Sequence, residues 1–309
     1  MTFAGILNHH TRPVVTVELS PPKGTDMGFM LQRVLDLKPW VDAINVPDCQ
    51  RSILKMSSLA AAKLIQDETG VDTVWQLTCR DRNLLALQAD LMGAYALGLR
   101  NVLALTGDPV QVGDHKDLAQ QVFHLESIRL LELIQALNRG DDATGKALKK
   151  SGTQFTVGAA LNPLRLNKHA QQLRLAQKLE RGVQFFQTQP VYDVNTVLAM
   201  NEQLETVCDR LGCAVPPVLI GIIPLKNPEM ARMMNQSIAG IDVPESVIAR
   251  LEGATDPLQE SFAFCQELVA ALAPYSAGFH FMPVGLETKI AGLLEQCFAS
   301  KNVTKNLLN

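Results

Sequence analysis

Residues 73–109, TVWQLTCRDRNLLALQADLMGAYALGLRNVLALTGDP, decide the fold. The stretch opens on the β-branched and aromatic run TVWQLTC (73–79), crosses DRNLLALQADLMGAYALG (81–98) and closes on NVLALTG (101–107). A short apolar run bounded by turn residues reads as a strand, and the longer segment, stopped by Gly98, reads as a helix. Strand, helix, strand is one turn of a repeating βα pattern. The near-continuous apolar character of both strands fits a parallel sheet with helices packed outside it.

The same alternation extends in both directions. Further strands are expected at VVTVELS (14–20), AINV (43–46), FTVGAAL (155–161), FFQTQPV (185–191), VLIGIIP (218–224) and GFHFMPV (278–284). Between them lie amphipathic segments. In SILKMSSLAAAKLIQDETG (52–70), Leu54, Ser58, Ala61, Ala62 and Ile65 share one face and Gly70 ends the helix; HAQQLRLAQKLERG (169–182) ends at Gly182. Eight such units with no Gly/Ser/Pro-rich linker predict an α/β chain folded as a single (β/α)8 TIM barrel over 1–309, rather than two domains. Extra helix is expected between strands seven and eight, over 244–274, opening on VPESVIARLE. Two segments interrupt the spacing, 109–122 after strand four and 138–154 before strand five. Loops that follow barrel strands shape active sites, so the first is the functional candidate.

Composition narrows the function classes. With 47% hydrophobic and 19% charged residues and a net charge of −3, the 309-residue chain is a packed globule and not a nucleic-acid binder. The cluster of Lys146, Lys149 and Lys150 reads as a solvated loop. No window approaches the ~18 apolar residues of a membrane span. The opening MTFAGILNHHTRP lacks the apolar core of a secretion signal, which predicts a cytoplasmic protein. Six cysteines, at 49, 79, 208, 213, 265 and 297, form no Cys-x-x-Cys pair and read as small buried or half-buried hydrophobes.

In a barrel, polar residues at the C-terminal ends of strands line the catalytic face. That filter selects Glu18, Asn45, Asp48, Gln76, Thr78, Thr106, Asp108, Asn162, Gln187, Gln189 and Tyr192. Glu18 stands in an apolar strand before Ser20-Pro21-Pro22. It reads either as a general acid or as a buried partner for a Lys or Arg across the barrel. Asp108 follows Gly107, whose missing side chain lets backbone approach a ligand. Thr106, Gly107 and Asp108 could then face a planar heterocycle, or Asp108 could simply form the turn before Pro109. Gln189 can pair with the amide edge of a pterin or flavin, or stand solvated in a loop. His280, the one histidine within a predicted strand, is expected to be a satisfied core residue. No Ser-His-Asp order, phosphate-binding loop or G-x-G-x-x-G occurs, which sets aside nucleotide hydrolases and dinucleotide-binding folds.

VELSPP (17–22), DAINV (42–46), the stretch from Leu77 to Pro109, VGAALNP (157–163), KLERGVQFFQTQPVYD (178–193) and GIIPLKNPEMA (221–231) carry a resemblance. Together they resemble the methylenetetrahydrofolate reductase family, in the branch containing reductase domains fused to homocysteine methyltransferases and acetogen reductases. The resemblance implies reduction of 5,10-methylenetetrahydrofolate to 5-methyltetrahydrofolate, a step of one-carbon metabolism. It implies a bound flavin, FAD or alternatively FMN, reduced by NADH, NADPH or a partner flavoprotein. Glu18 then matches the acid that protonates N10. Asp108 matches a residue touching folate and flavin, Gln189 and Tyr192 the pterin side, and Lys178 a lysine near the flavin phosphates. Gln76, Thr78, Thr106, Gly107 and Asn162 fall around the flavin. The chain departs from the family at Gln76, where histidine is common, at Thr106, where arginine occurs, and at Asn162, where tyrosine occurs. FMPVGLETK (281–289) also lacks an arginine after its glycine. These departures keep open a flavin-less folate-binding paralogue or subunit. A methyltransferase acting on methyltetrahydrofolate is a third reading. Association into a homo- or hetero-oligomer is compatible with each.

Overall fold

The computed structural model describes residues 2–238 and 240–299. Eight strands close a barrel in chain order: β1 (Val14–Glu18), β2 (Ala43–Val46), β3 (Thr73–Thr78), β4 (Asn101–Leu105), β5 (Thr156–Leu161), β6 (Phe185–Pro190), β7 (Val218–Ile222) and β8 (Gly278–Phe281). Every pairing is parallel, and β8 closes onto β1 with Thr16 opposite His280. All eight predicted strands are present, each ending within a few residues of its expected limit.

The helices are α1 (Phe3–Asn8), α2 (Gly28–Leu37), α3 (Ser58–Thr69), α4 (Leu84–Ala96), α5 (Ser127–Arg139), α6 (His169–Glu180), α7 (Val194–Leu211), α8 (Pro228–Ser237), α9 (Glu245–Glu252), α10 (Pro257–Leu272) and α11 (Ile290–Phe298). Local chemistry sets several of their ends. Asn83, Asp193, Asn227 and Asp256 accept hydrogen bonds from first-turn backbone N–H groups of α4, α7, α8 and α10. Gly70, Gly98 and Gly182, the predicted stops, all adopt positive φ. The extra helix between strands seven and eight is α9 and α10, with α8 before them. No helix among the described residues is long and apolar enough to cross a membrane.

One difference from expectation matters for the site. The helix predicted from Ser52 begins at Ser58, and Leu54 is exposed. Residues 49–57 instead form a loop with Cys49, Arg51 and Ser52 at positive φ (46°, 54° and 54°). The loop is held from both sides: Arg51 N donates to Asp108 (2.8 Å), Leu54 N to Asp114 (3.1 Å) and Met56 N to the Pro22 carbonyl (2.9 Å). Tertiary hydrogen bonds here override helical propensity.

Strand alternation divides the barrel into an outer and an inner face. Outward residues such as Val15, Val17, Ile44, Trp75 and Leu77 pack with the helices in the main core. Inside, Val14, Ala43, Val74, Leu103, Phe185 and Leu219 form an apolar floor, joined by Phe3 and Leu7 of α1. The Phe3 and Phe185 rings meet edge to face with centroids 5.6 Å apart. Helix α1 therefore plugs the barrel at the N-terminal ends of its strands. Above the floor the interior turns polar. Of the six cysteines, Cys79, Cys208 and Cys265 are buried, Cys49 and Cys297 half-buried and Cys213 exposed.

Candidate active site

The polar interior opens at the strand C-terminal ends into a cavity of about 810 Å³. Glu18, the last residue of β1, stands near its base with its side chain 10% exposed. Its Oε2 accepts from Gln76 Nε2 at 2.7 Å and its Oε1 from Gln50 Nε2 at 3.0 Å. His280 Nε2 lies 3.9 Å from Oε2. No lysine or arginine pairs with Glu18 among the described residues, so its neighbours are neutral amides and an imidazole.

A second set of contacts lies beneath. His280 Nδ1 and Thr16 Oγ1 are 2.9 Å apart; Gln187 Nε2 donates to Thr16 Oγ1 (3.3 Å) and to Asn45 Oδ1 (3.1 Å). Asn45 Nδ2 returns a bond to Gln187 Oε1 at 2.7 Å. With the amides so oriented, the Thr16 hydroxyl is left to donate to Nδ1, which directs the Nε2–H of a neutral ring towards Glu18. His280 is buried and hydrogen-bonded, as expected of a satisfied core histidine, but it also lines the cavity, which sequence reasoning did not foresee. The signal that could have found it is alternation, because Gly278, His280 and Met282 share the inward phase of β8.

Asp48, just past β2, holds the rim together. It accepts from Thr78 Oγ1 (2.7 Å), Thr78 N (3.1 Å) and Arg82 Nη1 (2.6 Å). The Thr78 hydroxyl lines the cavity but is committed to Asp48. Gly107, at φ 93°, passes so close to β3 that a Cβ there would lie 2.9 Å from Thr78 Cβ. Asp108 reaches the rim, exposed, and accepts from the Arg51 backbone. Gln76, Gly107, Asp108 and Gln189 thus meet Glu18 around one cavity, with Thr106 at its edge.

Besides Asn45, which lies beneath the cavity, three predicted site residues lie off its wall. Tyr192 is buried in an apolar cluster with Ile223 and Met234, and its hydroxyl donates to the Ile223 carbonyl (3.2 Å). Burial holds that phenol well above its ordinary pKa. Asn162 packs beneath Gly240, and its Oδ1 is buried without a partner among the described residues. Lys178 on α6 donates to the carbonyl of Ala160 (2.7 Å), behind β5. Burial, aided by the charge of Arg174, lowers its amine to about 8 against the opposing pull of Glu126. Thr106 accepts from the first N–H of α5 (3.1 Å) and also lines a second cavity of about 480 Å³ with Phe123, Glu126 and Arg129.

The remaining wall went unnoticed in the sequence. Met230, Met233 and Met234 of α8 make one side apolar, and Arg51 and Lys55 stand on the opposite loop. Nothing in their local sequence marks them; the loop path after β2 and the placement of α8 bring them to the mouth.

Comparisons with known proteins agree with this fold. The family profile described as methylenetetrahydrofolate reductase matches residues 3–297. "Methylenetetrahydrofolate reductase 1" of Schizosaccharomyces pombe is 23% identical over 90% of this chain and 45% of its own length. A Caenorhabditis elegans "probable methylenetetrahydrofolate reductase (NADPH)" is 26% identical over 65% of this chain and 27% of its own. The "5,10-methylenetetrahydrofolate reductase" of Pectobacterium carotovorum is 24% identical over 69% of this chain and 64% of its own. The chain therefore spans less than half the length of these C. elegans and S. pombe relatives. Among solved structures, an uncharacterized Clostridium thermocellum protein that binds two copies of 5-methyl-5,6,7,8-tetrahydrofolic acid superposes with a TM-score of 0.69 at 14% identity, covering 97% of this chain and 98% of that one. At that identity the likeness is one of fold. With the profile matched from one end of the barrel to the other, this chain belongs to the methylenetetrahydrofolate reductase family.

Proposed function

We propose that the chain reduces 5,10-methylenetetrahydrofolate to 5-methyltetrahydrofolate with the aid of a bound flavin, and that Glu18 is the general acid. The observation that carries this reading is Glu18 itself: a carboxyl group at the base of a ligand-sized cavity, faced by amide N–H donors and paired with no lysine or arginine among the described residues. Glu18 gives its proton to N10 of the bridged folate ring, the bond from N10 to the one-carbon unit breaks, and that carbon is left as an N5-iminium. Gln76 and Gln50 then stabilise the carboxylate through their N–H groups. Gln189 and Asp108 hold the pterin by its amide edge, across the cavity from Glu18.

The fit of a flavin can be judged from the residues. Thr106 lines both cavities, so an elongated dinucleotide could run from the barrel mouth past the bare backbone of Gly107 into the outer cavity. Arg129 lines that outer cavity, and Arg174 bonds to its Glu126 (2.6 Å). Arg129 is itself paired with Glu132 (2.9 Å), so with Lys178 close by three cations face two carboxylates, and the small positive excess suits phosphates. The residues fit the group. When bound, a flavin supplies hydride, replenished by NADH, NADPH or a partner flavoprotein.

Glu18→Gln tests the acid role. Reoxidation of reduced flavin by methylenetetrahydrofolate should slow by at least 100-fold, in the range typical of lost general acid catalysis, while flavin reduction stays nearly intact. Equal losses in both half-reactions would remove Glu18 from this role. A flavin-less folate-binding protein is the second reading, favoured by the Glu126–Arg174 pair, which occupies one of the cations a phosphate would use. An absorbance spectrum of freshly purified protein, before and after incubation with FAD, separates the two.

A further inference from the structure

We infer that His280 is a positioning residue for the acid: held as the Nε2–H tautomer by a buried chain of Thr16, Gln187 and Asn45, it donates a hydrogen bond to Glu18 as that carboxyl group loses its proton. The inference rests on the reading of Glu18 as general acid. Asn45 and Gln187 stand at strand ends, where the sequence marks them, yet the proton transfer to N10 uses neither directly. With Thr16 and His280 they form one buried layer above the apolar floor, a residue each from β1, β2, β6 and β8. Polar side chains withdrawn from water are costly unless they are bonded, so such a layer calls for a use.

The chain is bonded at every side-chain nitrogen and oxygen but one. The Asn45 and Gln187 amides bond each other (2.7 and 3.1 Å), Gln187 donates to Thr16 Oγ1 (3.3 Å), and Thr16 Oγ1 lies 2.9 Å from His280 Nδ1. His280 Nε2 has no hydrogen bond among the described residues and lies 3.9 Å from Glu18 Oε2. That gap is too long for an N–H···O bond, and closing it by about 1 Å makes one. Oε2 already accepts from Gln76 and has a second lone pair free for it. The bond strengthens as negative charge gathers on that oxygen, so it favours the transition state over the ground state. Glu18 passes its proton to N10, and His280 keeps its own. A neutral ring suits this task, because a cation in its place would hold Glu18 as the carboxylate and leave it no proton to give. No lysine, arginine or other histidine pairs with Glu18 among the described residues, so Gln50, Gln76 and His280 make up its donor set.

Stopped-flow reoxidation of the reduced flavoprotein tests this, with methylenetetrahydrofolate as one acceptor and a quinone, which needs no protonation at N10, as the other. His280→Leu should lower the limiting rate with the folate about ten- to a hundredfold, the loss expected for a hydrogen bond to a charged group. The folate concentration at half-maximal rate, and the rate with the quinone, should stay within about twofold. His280→Gln keeps a neutral N–H at similar reach and should restore the folate rate to within about fivefold of the unaltered protein; it also carries the test if His280→Leu fails to fold. Thr16→Val, which releases the tautomer, should fall between the two. Equal slowing with both acceptors, a folate dependence that shifts along with the rate, or His280→Gln as slow as His280→Leu would overturn the positioning role. Unslowed reoxidation by methylenetetrahydrofolate in Glu18→Gln would instead overturn the acid reading, and this inference with it.

Discussion

Replacing Gly107 by alanine should cost the protein about 2–4 kcal/mol of stability, through two separable effects. The first is backbone strain: Gly107 has φ 93°, and an L-residue held in left-handed backbone loses about 1–2 kcal/mol. The second is steric. The new Cβ would lie 2.9 Å from Thr78 Cβ, 3.2 Å from Arg80 Cβ and 3.3 Å from Thr78 Cγ2, so β3 must give way at Thr78. Moving Thr78 breaks its 2.7 Å bond to the buried Asp48 carboxylate, and a hydrogen bond to a charged group is worth about 1.5–3 kcal/mol. The smaller entropy of the unfolded alanine chain offsets about 0.4–1 kcal/mol of this. The assay is equilibrium urea denaturation followed by far-ultraviolet circular dichroism and by fluorescence, to which the fully buried Trp75 of β3 contributes. Thr78→Ala supplies the control. In that background the hydrogen bond is already gone, so the added cost of Gly107→Ala should fall by at least about 1 kcal/mol. A total loss below about 1 kcal/mol, or fully additive single substitutions, would refute the assignment of Gly107 to a close approach against Thr78.

Two further outcomes follow from buried groups. Thr16→Val removes the hydroxyl that meets His280 Nδ1 and should cost about 1–3 kcal/mol for the stranded imidazole nitrogen. Nitrogen-15 spectra of the ring should show the Nε2–H tautomer in the unaltered protein and a mixture in the variant; unchanged tautomer populations would discount the Thr16–Gln187–Asn45 chain. Lys178, lowered from 10.5 to about 8, carries less charge when folded than when unfolded between those values. The unfolded chain then binds more protons, so this lysine makes stability rise as pH goes from about 8 to 10.5. Lys178→Met should flatten that rise in urea titrations, and an unaltered slope would show that the amine titrates normally.

The strands were legible because a closed parallel barrel imposes one rule on all of them: apolar on both faces, bounded by turn residues, with a helix before the next. Glu18, Asp108 and Gln189 were legible for a related reason, since polar residues at the C-terminal ends of such strands point to the open mouth. Tyr192 was not. Strand β6 shifts register between Gln187 and Pro190, and that irregularity turns the chain so that Val191 joins the outer core and Tyr192 lies against Ile223. The helix start at Ser52 failed for a different cause. Its apolar spacing is sound, but Asp108 and Asp114, each more than fifty residues away, hold its backbone in another path. Arg51 and Lys55 reach the mouth through that same path, which no local pattern encodes. Lys178 was found through family resemblance and Asn162 through the strand-end rule, and both lie behind the wall instead of on it.

Helix α1 gives the site its directionality. With Phe3 and Leu7 seated against Phe185, the barrel is closed at the N-terminal ends of its strands among the described residues, and Glu18 lines the cavity that opens at the other end. Whatever reaches that carboxyl group must arrive and depart over the same rim, so two reactants that both need the innermost position have to take turns. The stopper thus turns a question of chemistry into one of traffic, in which the order of entry is imposed before any bond changes.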